Sequence, residues 1–360
     1  MTHHSSRPGA ETSVQIEVQS KAGARTFAVT PQRSVLYEAL RAGVLLPYEC
    51  ATGTCGTCKA RRRSGVLLND WPDAPGAGYL NPDREEVLLC QTRALTESSF
   101  EIPGRADISL SPSIRPSFGR AVITGVARLT HDVVALRLRM EPALEFEAGQ
   151  FAVLATPHVS GYRAYSMVTQ AGAAEEVEFV IKRKPGGGFT EWLLSDGLPG
   201  EELEWFGPLG KATFTPKEQR SIVAIAGGSG IASIMSILAV GEASRHFEQF
   251  DAAVFFGLRT RADVFYLDRL NGFAAAFPGT LRITIVFSHD EVDPTLRERY
   301  PALSFETGFP HEVAARDLAD RFAGRVAYLA GPPILVDVSI RMLITQARLP
   351  ARDIRYDKFS

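Results

Sequence analysis

The chain has four cysteines, and three of them crowd into the stretch YECATGTCGTC. Cys50, Cys55 and Cys58 are spaced C-x4-C-x2-C, and Cys90 follows well downstream. Thiols this close can wrap one inorganic centre if the residues between them leave room. Those residues are Ala51, Thr52, Gly53, Thr54, Gly56 and Thr57. All are small, and the two glycines can take positive φ and turn backbone N–H groups toward sulfur. The spacing is that of the thiolates holding a plant-type [2Fe–2S] cluster. A structural zinc site is the competing reading. Zinc sites pair two short C-x2–4-C knuckles or add histidine, whereas here the fourth thiol stands alone in LLCQTR and no histidine is near. The expected metal ligands are therefore Cys50, Cys55, Cys58 and Cys90.

Two further regions have glycines placed where phosphate could bind. RAYS, Arg163–Ser166, is followed by IKRKPGGGFTEWL. Gly186, Gly187 and Gly188 let the backbone approach an anion, and the helix opening near Thr190 presents its N-terminus to negative charge. A plain hairpin turn is the alternative. Downstream, IAGGSGIAS follows an apolar run and opens a helix-like segment, the context a dinucleotide loop needs. Its pattern is G-G-x-G and not G-x-G-x-x-G, so the Rossmann fingerprint as such is absent. A second loop of this kind is AGPP, Ala330–Pro333.

The elements that must position these residues fall into three blocks. The first spans 13–103, after a polar tail of 1–12 in which His3 and His4 are expected to be mobile. VQIEVQ and RTFAVT alternate like strands, and VLYEALRAG reads as a short helix stopped at Gly43. A connector, 104–117, is rich in proline and serine. The second block, 118–217, holds alternating runs such as VVALRLRM and VEFVIKRK, predicting a small antiparallel barrel or sandwich. The third, 218–360, changes rhythm. SIVAIAG, DAAVFFG, LRITIVFS and RVAYLAG are buried-strand runs separated by helical stretches, which predicts a parallel sheet covered by helices.

These motifs carry a resemblance that spans nearly the whole chain. The first block, with LPYECATGTCGTC, resembles the α+β plant-type ferredoxin domain, a β-grasp fold. RAYS with GGGFT, closed by GPLG at Gly207–Gly210, resembles the flavin barrel of the ferredoxin–NADP reductase superfamily. GGSG and AGPP resemble that superfamily's α/β nucleotide-binding domain. The order ferredoxin–flavin–nucleotide resembles the reductase components of ring-hydroxylating oxygenases, and THDVVALRLRM, FEAGQFAVL and RAYSM look most like the naphthalene type. The resemblance implies a [2Fe–2S] cluster, NADH and FAD; FAD is preferred over FMN because the ferredoxin domain stands first. It implies that Arg163 neutralises the flavin pyrophosphate. Tyr165 would pack on the flavin ring and Ser166 would bond near its N5, these two being the residues at the chemistry. Ile181, Arg183, Gly187, Gly188, Phe189 and Thr190 would complete the flavin site. Gly227, Gly228, Ser229, Gly230, Gly331 and Pro332 would flank the nicotinamide dinucleotide. Many relatives have Cys-Gly-Pro where this chain has Ala330-Gly-Pro, a loss that the small alanine accommodates. Phe359 would lie near the flavin, or else pack on a last edge strand.

The choice between the two dinucleotides rests on FFGLRTRADVFYLDRL. A carboxylate there accepts from a free ribose 2′-OH and repels a 2′-phosphate. Asp263 falls at that place and favours NADH, although helix capping would also explain it. Arg259 and Arg261 pull the other way, because guanidinium suits phosphate.

Composition narrows the field. At 360 residues, 45% hydrophobic and net charge −2, the chain is an ordinary multidomain globular protein, with no bulk charge for nucleic acid or membrane. No window reaches a membrane span. The polar N-terminus is no export signal, so the reducing cytoplasm is the expected compartment. KARRR, Lys59–Arg63, reads as a solvated strand face or as a basic rim for an acidic partner. That partner is expected to be an oxygenase or its small ferredoxin. The same module could serve a diiron monooxygenase or a deoxysugar dehydratase. A non-catalytic redox sensor is the remaining reading, against which the intact loops argue.

Overall fold

In the computed structural model, residues 13–104, 106, 108 and 112–358 are described. The tail 1–12 and Phe359 lie outside them. The chain divides into two compact units at Pro116.

The first unit has seven strands: β1 Val14–Ser20, β2 Gly23–Val29, β3 Lys59–Ser64, β4 Leu67–Asn69, β5 Glu86–Leu88, β6 Thr92–Ala94 and β7 Ser98–Glu101. Its main sheet has the order β2-β1-β7-β3-β5, and β4 pairs with β6 in a separate ribbon. Only β1 and β7 run parallel in it, the other pairs being antiparallel. One helix, α1 Val35–Arg41, is almost wholly buried. Ser34 caps it, accepting a hydrogen bond from the Tyr37 N–H at 3.3 Å, which satisfies one of the first-turn donors. Gly43 follows at φ 83°, the left-handed stop the sequence predicts.

The second unit joins two folds. Strands β8 Ser117–Arg128, β9 Val133–Phe146, β10 Phe151–Thr156, β11 Val159–Ser166, β12 Gly172–Lys182 and β13 Glu202–Leu209 form an antiparallel sheet, with helix α2 Gly188–Ser195 following β12. Their order is β11-β10-β13-β8-β9-β12. A bridge between Met167 and Phe179 ties the two ends of that order together, so the sheet curls into a barrel. Phe146, Leu136, Leu138, Phe179 and Trp205 fill it.

The remaining strands are β14 Ile222–Gly227, β15 Ala252–Leu258, β16 Leu281–Phe287, β17 Ser304–Thr307, β18 Val326–Gly331 and β19 Ile354–Lys358. They form a wholly parallel sheet of order β17-β16-β15-β14-β18-β19. Helices α3 Ile231–Ala243, α4 Leu267–Ala276, α5 Pro294–Arg299, α6 Pro310–Leu318 and α7 Pro333–Thr345 connect them. Every residue of β14 and β18 is buried, as a sheet covered on both faces requires. The chain steps outward from β14 to β17 and then crosses back to β18. The topological switch point, where open α/β sheets bind ligands, therefore lies between β14 and β18.

Barrel and parallel sheet share one core. Val133, Ala148, Val168, Val180 and Phe214 from the barrel side pack with Ile231, Ile234, Phe265 and Leu267 from the sheet side. The strand rhythm changes near residue 220, but the apolar packing is continuous across that point.

Candidate cofactor sites

Helix α1 holds both halves of the cysteine set. The Tyr37 hydroxyl donates to the Ala51 carbonyl at 2.9 Å, fixing a residue at φ 58° that its side chain alone would disfavour. At the other end of the set, the Leu36 N–H donates to the Leu89 carbonyl at 3.1 Å, and Leu89 donates to the Cys58 carbonyl at 3.1 Å. Gly53 and Gly56 take φ 90° and 78°, so the loop needs glycine there. A Cβ on Gly56 would lie 2.9 Å from the Tyr79 ring.

The four thiols form two pairs and no disulfide. Cys58 Sγ lies 3.2 Å from Cys90 Sγ, and the Cys50 and Cys55 sulfurs bond to each other. Backbone N–H groups of Thr52 and Thr57 donate to Cys50 and Cys55 at 3.4 and 3.5 Å. The bond from Cys55 outweighs burial and takes the Cys50 thiol down to about 4. The same bond, then burial, pushes Cys55 up. Cys90 is pushed up by its bond to Cys58 and by burial. The Cys50–Cys55 pair thus shares its protons unevenly, and metal binding replaces such protons. Three buried sulfurs and one half-buried sulfur, with N–H donors on the loop, fit an iron–sulfur cluster.

The basic run after Cys58 is strand β3. Lys59 pairs with Glu86 at 3.2 Å and Arg62 with Glu85 at 3.0 Å, while Arg63 pairs with Glu101. This partnering supports a solvated strand face more than a basic rim.

In the barrel, RAYS ends β11, with Ser166 opposite Phe151 and Arg163 opposite Leu154 on β10. Tyr165 leans on Phe189, ring centroids 5.5 Å apart, and burial pushes its phenol up. Arg163 donates to the Tyr162 carbonyl at 2.9 Å. After β12 the chain turns at Gly186, φ 72°, and Gly187 starts α2 with no side-chain cap. A Cβ on Gly188 would lie 2.9 Å from Val159 Cγ1, so glycine brings the helix start against β11. Uncapped first-turn N–H groups at that point suit a pyrophosphate.

Three expected flavin residues have other partners. The Thr190 hydroxyl accepts from the Lys184 N–H at 3.1 Å and lies 3.1 Å from the Gly187 carbonyl, so it shapes the turn. Arg183 pairs with Glu191 at 2.9 Å. Ile181 is a core residue of the barrel. The clearest sign of a missing partner is Ser166. Its Oγ is buried and makes no hydrogen bond, a condition that costs about 1–3 kcal/mol when nothing answers it. A ring nitrogen of a bound flavin would answer it, so the residues fit the cofactor.

At the switch point the two remaining loops touch. Gly227 ends β14, and Gly228 follows at φ 53°. Gly230 opens α3, and a Cβ there would lie 2.4 Å from the Ala330 carbonyl oxygen. A Cβ on Gly331 would lie 3.0 Å from the Gly227 carbonyl oxygen. Gly230 and Gly331 therefore let two backbones meet, with Ser229 half-buried beside them and Pro332 exposed beyond. Ala330 is buried. Asp263 closes a capping box: its Oδ2 accepts from the Thr260 N–H at 2.8 Å and lies 2.9 Å from the Thr260 hydroxyl. It caps the short turn Arg261–Asp263 and not α4, which starts later. Arg261 is engaged by Asp290 and Asp293, at 3.6 and 3.4 Å, and Arg259 is exposed.

Sequence reasoning missed Tyr37, Tyr79 and Gln91 around the cysteine loop, since an aromatic in a helix or a lone glutamine has no motif. Adjacency to Cys90 was the one hint for Gln91, whose Nε2 reaches the Cys90 sulfur at 3.7 Å.

Three family models match in the order the elements run: a 2Fe-2S iron–sulfur cluster binding domain over residues 16–95, an oxidoreductase FAD-binding domain over 120–214 and an oxidoreductase NAD-binding domain over 224–339. The ferredoxin–NAD(+) reductase component of the alkene monooxygenase system of Xanthobacter autotrophicus is 33% identical, covering 93% of this chain and 98% of its own. The ferredoxin–NAD(P)(+) reductase CarAd of Metapseudomonas resinovorans is also 33% identical, over 91% and 94%. The solved ferredoxin reductase in carbazole 1,9a-dioxygenase superposes with a TM-score of 0.80 at 29% identity, covering 98% of this chain and all of that one. With cysteine cage, flavin cradle and dinucleotide loops in that order, the chain belongs to the family of ferredoxin–NAD(P)+ reductases, flavin and iron–sulfur oxidoreductases that join a [2Fe–2S] domain, an FAD domain and an NAD domain in one polypeptide.

Proposed function

We propose that this protein is the reductase component of a multicomponent oxygenase, taking electrons from NADH and delivering them singly to an oxygenase component or its small ferredoxin. The observation that carries the reading is the meeting of the two glycine loops at the switch point of a sheet whose core is shared with the flavin barrel. The reading is supported by these loops and the partnerless Ser166 hydroxyl belonging to one compact unit. When bound, nicotinamide, flavin and cluster would supply hydride donation, splitting of the electron pair and one-electron transfer. The chain supplies the rest. Its glycine loops admit the dinucleotide, Gly187 and Gly188 receive the pyrophosphate, Tyr165 and Phe189 wall the flavin, and four cysteines bind iron.

A ring-hydroxylating dioxygenase is the first choice of partner, from the sequence resemblance and the solved carbazole 1,9a-dioxygenase ferredoxin reductase. A monooxygenase partner is the second, favoured by the alkene monooxygenase relative. NADH is proposed over NADPH because Arg261 is held by two aspartates and Asp263 leaves a carboxylate beside that turn. The test is a visible spectrum of the purified protein before and after one equivalent of NADH without oxygen. Flavin and iron–sulfur bands that both bleach support the whole route. Bleaching of flavin alone removes the cluster from it, and no bleaching with NADH or NADPH overturns the reading.

A further inference from the structure

Glu178 lies on β12, and its carboxylate is shared between the barrel and the nucleotide-binding fold. From the barrel, Arg137, its cross-strand partner on β9, donates to Oε2 at 2.9 Å. From the other fold, the Tyr266 hydroxyl donates to Oε1 at 2.6 Å and Arg269 to the same oxygen at 3.0 Å. The Arg269 guanidinium also lies over the Tyr266 ring, 4.8 Å from its centre. Tyr266 has φ 60°, a conformation that costs a bulky residue energy and persists only where its surroundings hold it. It follows the Arg259–Asp263 segment and starts α4.

The backbone of Glu178 extends the network toward the flavin side. Its carbonyl accepts from Val168 at 2.8 Å, and its N–H donates to the Thr169 hydroxyl at 2.8 Å. These residues directly follow Ser166 and Met167. The Thr169 carbonyl in turn accepts from Ser236 at 2.7 Å, on the helix that the Gly227–Gly230 loop opens. Glu178 thus ties the strand end bearing Ser166 to the start of α4, and through Thr169 the same strand end is tied to α3.

We propose that Glu178 is a positioning residue that docks the nucleotide-binding fold on the flavin barrel in the register hydride transfer requires; this rests on the proposed NADH-to-flavin route. Adhesion alone does not need it. The shared core already includes Val133, Val168, Val180, Phe265 and Leu267, and hydrophobic burial is non-directional. A half-buried carboxylate between two guanidiniums pays a desolvation penalty, and what it adds is a fixed direction. Burial opposes its ionisation, but the bonds from Tyr266 and Arg137 and the nearby Arg269 prevail and keep its carboxyl below the ordinary value.

The experiment uses the full-length holoprotein with E178Q and, separately, Y266F. Flavin reduction by NADH is followed anaerobically over a range of NADH concentrations, with FAD content and Tm measured alongside. E178Q is expected to keep its FAD and to reduce it about tenfold more slowly at saturating NADH, since small misplacements of reacting groups cost rate. Y266F, which removes one bond, shifts the same rate in the same direction by less. If either variant loses Tm or FAD while each remaining flavin is reduced at the wild-type rate, Glu178 is a structural tie and the proposal fails. Should E178Q not fold, Y266F alone decides by the same criterion. If wild-type flavin is not reduced by NADH, the route itself fails and the positioning role falls with it.

Discussion

Ser166 faces opposite demands in the apoprotein and the holoprotein. Its hydroxyl is buried without a partner, so in the apoprotein Ser166→Ala removes an unanswered polar group. The apoprotein Tm is expected to stay level or rise, by up to about 1 kcal/mol in stability. In the holoprotein the same change would remove the bond proposed between Ser166 and the flavin, and flavin reduction by NADH is expected to slow by about 10- to 100-fold. A fall in both Tm and rate would make Ser166 an ordinary packing residue. Asp263 has a capping role and a proposed part in dinucleotide choice, and one substitution separates them. Its Oδ2 takes the Thr260 cap, so Asp263→Asn keeps an acceptor and removes the charge. Stability should change little, whereas Asp263→Ala should lose about 1 kcal/mol, the usual worth of a cap. If the charge disfavours a 2′-phosphate, the Asn variant raises kcat/KM for NADPH relative to NADH several-fold. An unchanged ratio would leave Asp263 as a cap alone.

At the scale of elements, the contact between the β14 and β18 loops is a tight backbone-to-backbone constraint. The Gly230 position meets a backbone carbonyl at 2.4 Å, and backbone cannot rotate away as a side-chain tip can. Gly230→Ala is expected to push the loops apart, costing about 1–3 kcal/mol as overpacking does. The KM for NADH should rise at least tenfold while FAD content and the cluster spectrum stay as in wild type. Wild-type KM would show that the dinucleotide does not use this contact. These loops were legible in the sequence because glycine is the only residue that permits such an approach, and buried runs such as IVAIAG and VAYLAG announce parallel strands. The cysteine cage was legible for the same reason: spacing is chemistry there. Thr190 and Arg183 were not. A residue inside a motif can serve the turn, and only the folded chain brings Thr190 to Lys184 and Gly187 and Arg183 to Glu191. Glu178 was illegible altogether, since its partners lie 41, 88 and 91 positions away.

For the molecule as a whole, electrons must run downhill from nicotinamide to cluster, which constrains the cysteine cage. Plant-type clusters sit near about −400 mV, too reducing to be filled easily from NADH. This cage must therefore favour the reduced, more negative state better than that. Burial of Cys50, Cys58 and Cys90 works against it, because a low-dielectric site disfavours added charge. Donors to sulfur work for it, and the loop provides them from Thr52 and Thr57 and from the Gln91 amide on Cys90. Cys55 is only half-buried, which lets solvent share the charge. A redox titration is expected to give a midpoint more positive than about −400 mV. Gln91→Leu removes one side-chain donor and leaves all four thiols. It should move the midpoint negative by some tens of millivolts, where about 59 mV is a tenfold change for a one-electron couple. The reduced fraction of cluster after one equivalent of NADH should fall with it, while flavin bleaching is unaffected. A wild-type midpoint at the plant value would mean that the cage is not tuned for this donor. An unmoved midpoint in the Gln91 variant would leave the backbone donors and the open edge at Cys55 to account for the tuning.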